Sequence, residues 1–96
     1  MVVMAKLSDA EITAGLSALP GWAREGDEIV KTFDCGSFPD AVAFVVRIGF
    51  FAERADHHPD LDVRWKRVRV ALSTHDAGGL TAKDLALATE IEGIGR

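Results

Sequence analysis

The run Leu61-Asp62-Val63-Arg64-Trp65-Lys66-Arg67-Val68-Arg69-Val70-Ala71-Leu72 holds two strand patterns that are out of phase with each other. Leu61, Val63 and Trp65 are apolar at odd positions, whereas Val68, Val70 and Leu72 are apolar at even positions. Side chains alternate strictly between the two faces of a strand, so one uninterrupted strand would expose one of these sets. A two-residue turn at Lys66-Arg67 repairs the conflict, placing Trp65 opposite Val68, Val63 opposite Val70 and Leu61 opposite Leu72 on one face. Lys-Arg is a poor pair for the primed turns of tight hairpins, so the expectation is a hairpin with room for a longer or bulged turn.

A helix signal precedes this hairpin. Ser37 is the expected N-cap, Pro39 and Asp40 fall in the first turn, and Ala41 to Ala55 contains no breaker except Gly49. Val42, Phe44, Val45, Val46, Ile48, Phe50 and Phe51 surround the axis rather than forming one stripe. Such a helix must be covered on more than one side, and in a small domain a sheet and a second subunit are the expected covers. It must end before Pro59, whose ring disfavours helical geometry at His58. Glu53 and His57, four residues apart, are then placed to face each other on its last turn.

Further upstream, Trp22 to Asp34 reads with period two around Glu25-Gly26-Asp27, a second hairpin in which Trp22 is a core candidate. Before it, Ser8 and Glu11 have the spacing of a capping box, with Leu7 and Ile12 as its hydrophobic staple. Ile12, Leu16 and Leu19 share one face of the helix that follows, and Pro20-Gly21 stops it. Gly15 within it marks either a close contact or a weak spot. Downstream of the central hairpin, Asp76-Ala77-Gly78-Gly79 forms a loop. Thr81 and Asp84 then repeat the capping logic, with Leu80 and Leu85 as staple and Leu85, Ala88 and Ile91 as the inner face. Helix, hairpin, helix, hairpin, helix predicts an α+β domain: a four-stranded antiparallel sheet with its helices packed on one face.

The 96 residues fit one domain, 1–96, and 48% hydrophobic against 27% charged residues describes a globular chain. A net charge of -4 disfavours direct nucleic-acid binding, which needs a basic face. Cys35 stands alone, which excludes an internal disulfide and paired-cysteine zinc sites and fits a reducing compartment. The opening Met1-Val-Val-Met-Ala-Lys6 is too short for a leader's apolar region, and no run approaches the about 18 apolar residues of a membrane span. The expected location is cytoplasmic, with no membrane partner.

All three histidines lie between Glu53 and Asp84: Asp56-His57-His58-Pro59, then Ser73-Thr74-His75-Asp76. Imidazole has an unperturbed pKa of about 6.5, so histidines gathered beside acids suggest acid/base chemistry near neutral pH. Surface or structural roles are the plain alternative for each. A zinc site of three histidines with Glu53 or Asp56 is the rival chemistry, although no local spacing here is a recognised zinc signature. Asp84 is open to two readings, capping its helix or orienting a histidine, and Thr81 to capping alone.

An acid, three residues, His-His-Pro, five or six residues, an aromatic, nine residues, His and a later Asp occur here as Glu53, His57-His58-Pro59, Trp65, His75 and Asp84. The pattern resembles the pterin-4a-carbinolamine dehydratases, as do Ser73-Thr74-His75, Gly79-Leu80 and Gly21-Trp22, so that the resemblance spans essentially the whole chain. One departure is Leu61, where family members commonly have tryptophan two residues after the proline. The resemblance implies a metal-free, cofactor-free cytoplasmic hydro-lyase that dehydrates 4a-hydroxytetrahydropterin to quinonoid dihydropterin, recycling the pterin used by an aromatic amino-acid hydroxylase. It implies catalytic roles for His57, His58 and His75, with Asp84 in support. Substrate binding is implied for Glu53, Asp56, His57, His58, Pro59, Ser73, Thr74, His75 and Asp76. It further implies a homo-dimer or tetramer. The alternative it carries is a non-catalytic dimerisation cofactor of a homeodomain transcription factor, using the same helix faces.

Overall fold

The out-of-phase run folds as a hairpin, with its turn one residue earlier than expected. In the computed structural model, which describes residues 5–95, β3 (Asp60–Arg64) pairs antiparallel with β4 (Arg67–Leu72). The partners are Leu61 with Val70, Val63 with Val68 and Arg64 with Arg67, so the turn residues are Trp65 and Lys66. Both apolar sets still reach one face, but the register differs by two residues from the expected one and Trp65 leaves the strand. The neighbouring strand accounts for this. β2 (Glu28–Asp34) fixes β4 by pairing Ile29 with Leu72 and Phe33 with Val68, and the Cys35 amide donates to the Lys66 carbonyl at 2.8 Å, pinning the turn. Trp65 takes the positive φ of 54° that such a turn demands. The residue is 73% exposed, with the Lys66 ammonium 5.4 Å from its ring centroid.

β1 (Ala23–Glu25) completes the sheet in the order β1-β2-β4-β3, all antiparallel. The β1–β2 turn is Gly26-Asp27, where Gly26 supplies φ 61° at the first turn position. Ile29, Phe33, Val68, Val70 and Leu72 form the inner face of the sheet. The helices α1 (Asp9–Leu16), α2 (Phe38–Ala55) and α3 (Ala82–Glu92) cover it with Ile12, Ala41, Phe44, Ile48, Ala52, Leu87, Ala88 and Ile91. Each fully buried Phe, Ile or Leu of this set contributes about 1.5–3 kcal/mol by leaving water.

α1 is shorter than its apolar spacing suggests. It ends at Leu16, and the chain tightens into three-residue turns, Ala18 N–H to Gly15 O and Leu19 N–H to Leu16 O, before Pro20. Leu19 therefore reaches the core from a turn rather than from the helix. Gly15 is a close contact, since a Cβ there would lie 2.5 Å from the Leu85 side chain on α3. The amides and carbonyls at the two helix entrances also meet, Leu7 N–H donating to Leu80 O at 2.8 Å.

α2 begins as expected at the Ser37 cap, whose hydroxyl oxygen accepts from the Asp40 amide at 3.2 Å. Its inner face is Ala41, Phe44, Ile48 and Ala52. On the outer side Phe38, Val42, Val46 and Phe50 recur every four residues in the open, with Phe50 71% exposed. Among the described residues no helix is long and apolar enough to cross a membrane. The run Met1–Met4, part of the stretch read above as too short for a leader, lies outside the described residues, as does Arg96.

Candidate active site

The end of α2 separates the two adjacent histidines. The Asp56 amide donates to Glu53 O at 3.1 Å and the His57 amide to Ala52 O at 3.0 Å, the paired bonds of a Schellman ending. Asp56 takes the left-handed conformation this requires, φ 50° and ψ 44°, which aspartate tolerates better than most residues. The chain reverses there. His57 turns inward, 9% exposed, and its Nε2 lies 2.6 Å from Asp84 Oδ1. His58 stays at the surface, its Nε2 3.0 Å from Glu53 Oε1. The expected pairing of Glu53 with His57 is thus replaced by Glu53 with His58, because the left-handed residue breaks the helical spacing between them.

The opposite wall comes from the end of β4. Thr74 and Gly79 exchange backbone bonds, Thr74 N–H to Gly79 O at 2.9 Å and Gly79 N–H to Thr74 O at 3.3 Å. They close a loop whose 3₁₀ turn, His75–Ala77, is capped by Gly78 at φ 73°. His75 and Asp76 project from that loop in the open.

Between the walls is a cleft of about 240 Å³ lined by Asp56, His57, His58, Ser73, Thr74, His75, Asp76 and Lys83. It gathers the three histidines with four of the other residues expected to bind substrate. Glu53 and Pro59 are not in its lining; Glu53 touches it only through His58. Lys83 is a lining residue that sequence reasoning missed. Its place two residues after the Thr81 cap, on a helix entering beside the histidines, was the available signal.

Asp84 stands behind the cleft, fully buried, and makes the contacts of a cap and of a histidine partner together. Oδ2 accepts from the Thr81 amide at 2.9 Å, as a cap does, and from the Thr74 hydroxyl at 2.8 Å, while Oδ1 meets His57. A buried carboxylate needs such partners on both oxygens, since leaving one bare forfeits its solvation without return. Thr81, read only as a cap, is fully buried too and lies 2.8 Å from the Thr74 hydroxyl through its own. Among the described residues no three His, Cys, Asp or Glu side chains converge as a shared metal ion would require. The rival zinc arrangement of three histidines with Glu53 or Asp56 is therefore not assembled.

The sequence profile of the family described as "Pterin 4 alpha carbinolamine dehydratase" matches residues 5–94. A protein of Roseiflexus sp. (strain RS-1) named "Putative pterin-4-alpha-carbinolamine dehydratase" is 60% identical over 93% of this chain and 96% of its own. A Nocardia farcinica protein of the same name is 52% identical over 94% and 95%. The crystal structure of a transcriptional coactivator/pterin dehydratase from Brucella melitensis superposes with a TM-score of 0.88 at 31% identity, covering 92% of this chain and 96% of that one. A pterin dehydratase-like protein identified as a RuBisCO assembly factor in the alpha-carboxysome shares the fold at a TM-score of 0.65 and 21% identity, over 76% and 87% of the two chains. With a profile match over nearly all of its length and relatives this similar across theirs, the chain belongs to the pterin-4a-carbinolamine dehydratase family.

Proposed function

We propose that this protein dehydrates 4a-hydroxytetrahydropterin to quinonoid dihydropterin by histidine acid/base catalysis, in the cytoplasm and without a metal or cofactor. The observation that carries the reading is the cleft itself, in which His57, backed by a buried carboxylate, shares one wall system with His58 and His75. Loss of water breaks the C4a–O bond. The hydroxyl leaves with a proton delivered to it, and an adjacent ring nitrogen gives up its own. Positioned imidazoles suit both transfers, each typically worth ~10²–10⁴-fold. The Asp84 carboxylate stabilises His57 whenever that ring carries charge. Ser73 offers a hydroxyl, Asp56 and Asp76 carboxylates, and Lys83 an ammonium for the polar edge of a pterin, while the Thr74 hydroxyl is engaged with Asp84 and Thr81 behind it.

The test is a direct assay of the purified chain on 4a-hydroxytetrahydropterin, with His57→Ala and His75→Ala beside it. Both variants are expected to fold and to lower the catalysed rate by roughly ten- to a thousandfold. Wild-type turnover in both would sink the acid/base assignment.

The exposed stripe Phe38, Val42, Val46 and Phe50 supports a second part of the proposal, self-association through α2 as a dimer or tetramer. Sedimentation should show an oligomer at micromolar concentration, and Phe50→Asp should shift it toward monomer. A wild-type monomer would refute this. The same stripe suits a non-catalytic interaction module, and a chain that associates but does not turn over the carbinolamine would favour that reading.

A further inference from the structure

Behind the cleft the hydrogen bonds have only one consistent direction. Asp84 can only accept as a carboxylate, so the Thr74 hydroxyl, 2.8 Å from Oδ2, gives its single proton there. With that proton committed, the 2.8 Å contact between the Thr74 and Thr81 hydroxyls must be donated by Thr81. The Thr81 oxygen in turn accepts from the Lys83 amide at 3.3 Å. Oδ2 is thereby filled by the Thr74 hydroxyl and the Thr81 amide, leaving Oδ1 aimed at His57 Nε2. Among the described residues no buried side-chain nitrogen or oxygen lacks a partner. The Nδ1 of His57 has no bonding partner among them, so it is the nitrogen that reaches the cleft His57 lines.

We infer that Thr81 is a positioning residue. Its hydroxyl, acting through Thr74, fixes the Asp84 carboxylate so that His57 keeps its proton on Nε2 and exchanges protons with the substrate at Nδ1. The part concerning turnover rests on the dehydratase reading; the part concerning the tautomer does not. The Nε2 proton stays with His57 and is shared with Asp84, while the N–H bond that forms on accepting a proton, or breaks on giving one to the substrate, is the one at Nδ1. Thr81 is not in the lining of the cleft, so its effect belongs in kcat and not in KM.

The test uses the full chain labelled with nitrogen-15 in its histidines, read by two-bond proton–nitrogen correlation spectra and by steady-state kinetics across pH. Neutral His57 in the wild type is expected as the Nε2–H tautomer. Thr81→Val, which removes the first donor, should let the Nδ1–H tautomer appear, lower kcat about five- to tenfold, the rate equivalent of one neutral hydrogen bond, and leave KM within about twofold. Its pH–rate profile should move with the tautomer, and Thr81→Ser should restore both. Because Thr81→Val also weakens the α3 cap, Thr74→Val is the companion variant: it removes the hydroxyl on Oδ2 and leaves the cap whole, and it should also release the Nδ1–H form. An Nδ1–H tautomer in the wild type overturns the inference, as does a folded Thr74→Val or Thr81→Val protein whose His57 spectrum is unchanged. A wild type with the expected spectrum but no dehydratase turnover would instead overturn the proposed function and leave the tautomer assignment standing.

Discussion

At the entrance of α1, Ser8 Oγ accepts from the Glu11 amide at 3.2 Å and Glu11 Oε1 from the Ser8 amide at 2.9 Å. At the entrance of α3, Asp84 Oδ2 accepts from the Thr81 amide at 2.9 Å and Thr81 Oγ1 from the Lys83 amide at 3.3 Å. The two entrances even touch, through the Leu7–Leu80 backbone bond. Locally they are the same device, and the sequence writes them alike, each with a leucine staple before it. The difference is water. Glu11 is exposed, so its remaining lone pairs are solvated and the box ends with the helix. Asp84 has no water to turn to, and the second oxygen must find a donor from another element, which His57 supplies. Burial converts a helix cap into the back wall of a site, with no change in the local code.

The largest test of this contrast is Asp84→Asn. Its amide oxygen can still serve Thr81 and Thr74, but its NH₂ then faces His57 Nε2, which must accept and move its proton to Nδ1. Turnover should fall by roughly 10²–10⁴-fold, and stability by about 1–3 kcal/mol for the lost charged hydrogen bond. Normal turnover in a variant that merely melts earlier would reduce Asp84 to a cap like Glu11. Next in size is Ser8→Ala, which should cost about 1 kcal/mol, or roughly 4–8 °C in melting temperature, with turnover per folded molecule unchanged. A parallel loss of turnover would show that the two entrances are not independent.

The smallest effect is acid sensitivity confined to α1. Bonds from the Ser8 backbone and hydroxyl hold the Glu11 carboxyl below its usual range, and Arg24 does the same for Asp9. Both groups bind protons more readily in the unfolded chain, so their contribution is present above the ordinary carboxylate values and is lost as pH falls through the lowered ones. The protection of α1 amides, taken relative to their intrinsic exchange rates at each pH, should therefore fall on acidification below about pH 4.5, and Glu11→Gln should flatten that dependence. An α1 whose protection is indifferent to pH in both proteins would remove the electrostatic part of the contrast.

Much of the fold was legible because the relevant signals are local. The Ser37 cap, the Pro59 limit, the two capping boxes and the face shared by Leu61, Val63, Val68 and Val70 are all set by neighbours in sequence. The register of β3 on β4 was not, because β2 and the Cys35 amide decide it from across the sheet. The same holds at the site. Its residue types announced themselves, but the swap of Glu53 from His57 to His58 depends on one left-handed backbone at Asp56. The part played by Thr81 depends on burial that no four-residue window contains.

The ending of α2 and the entrance of α3 hold each other through a single carboxylate, and this ties the cleft to the motions of the last helix. Any opening of the first turn of α3 carries Asp84 away from His57, so fraying of that helix and loss of the site are one event. By linkage, a ligand that fits only the closed cleft must slow that opening. The amides of Lys83, Asp84 and Leu85 then become a reporter of occupancy, their exchange slowing as the cleft fills.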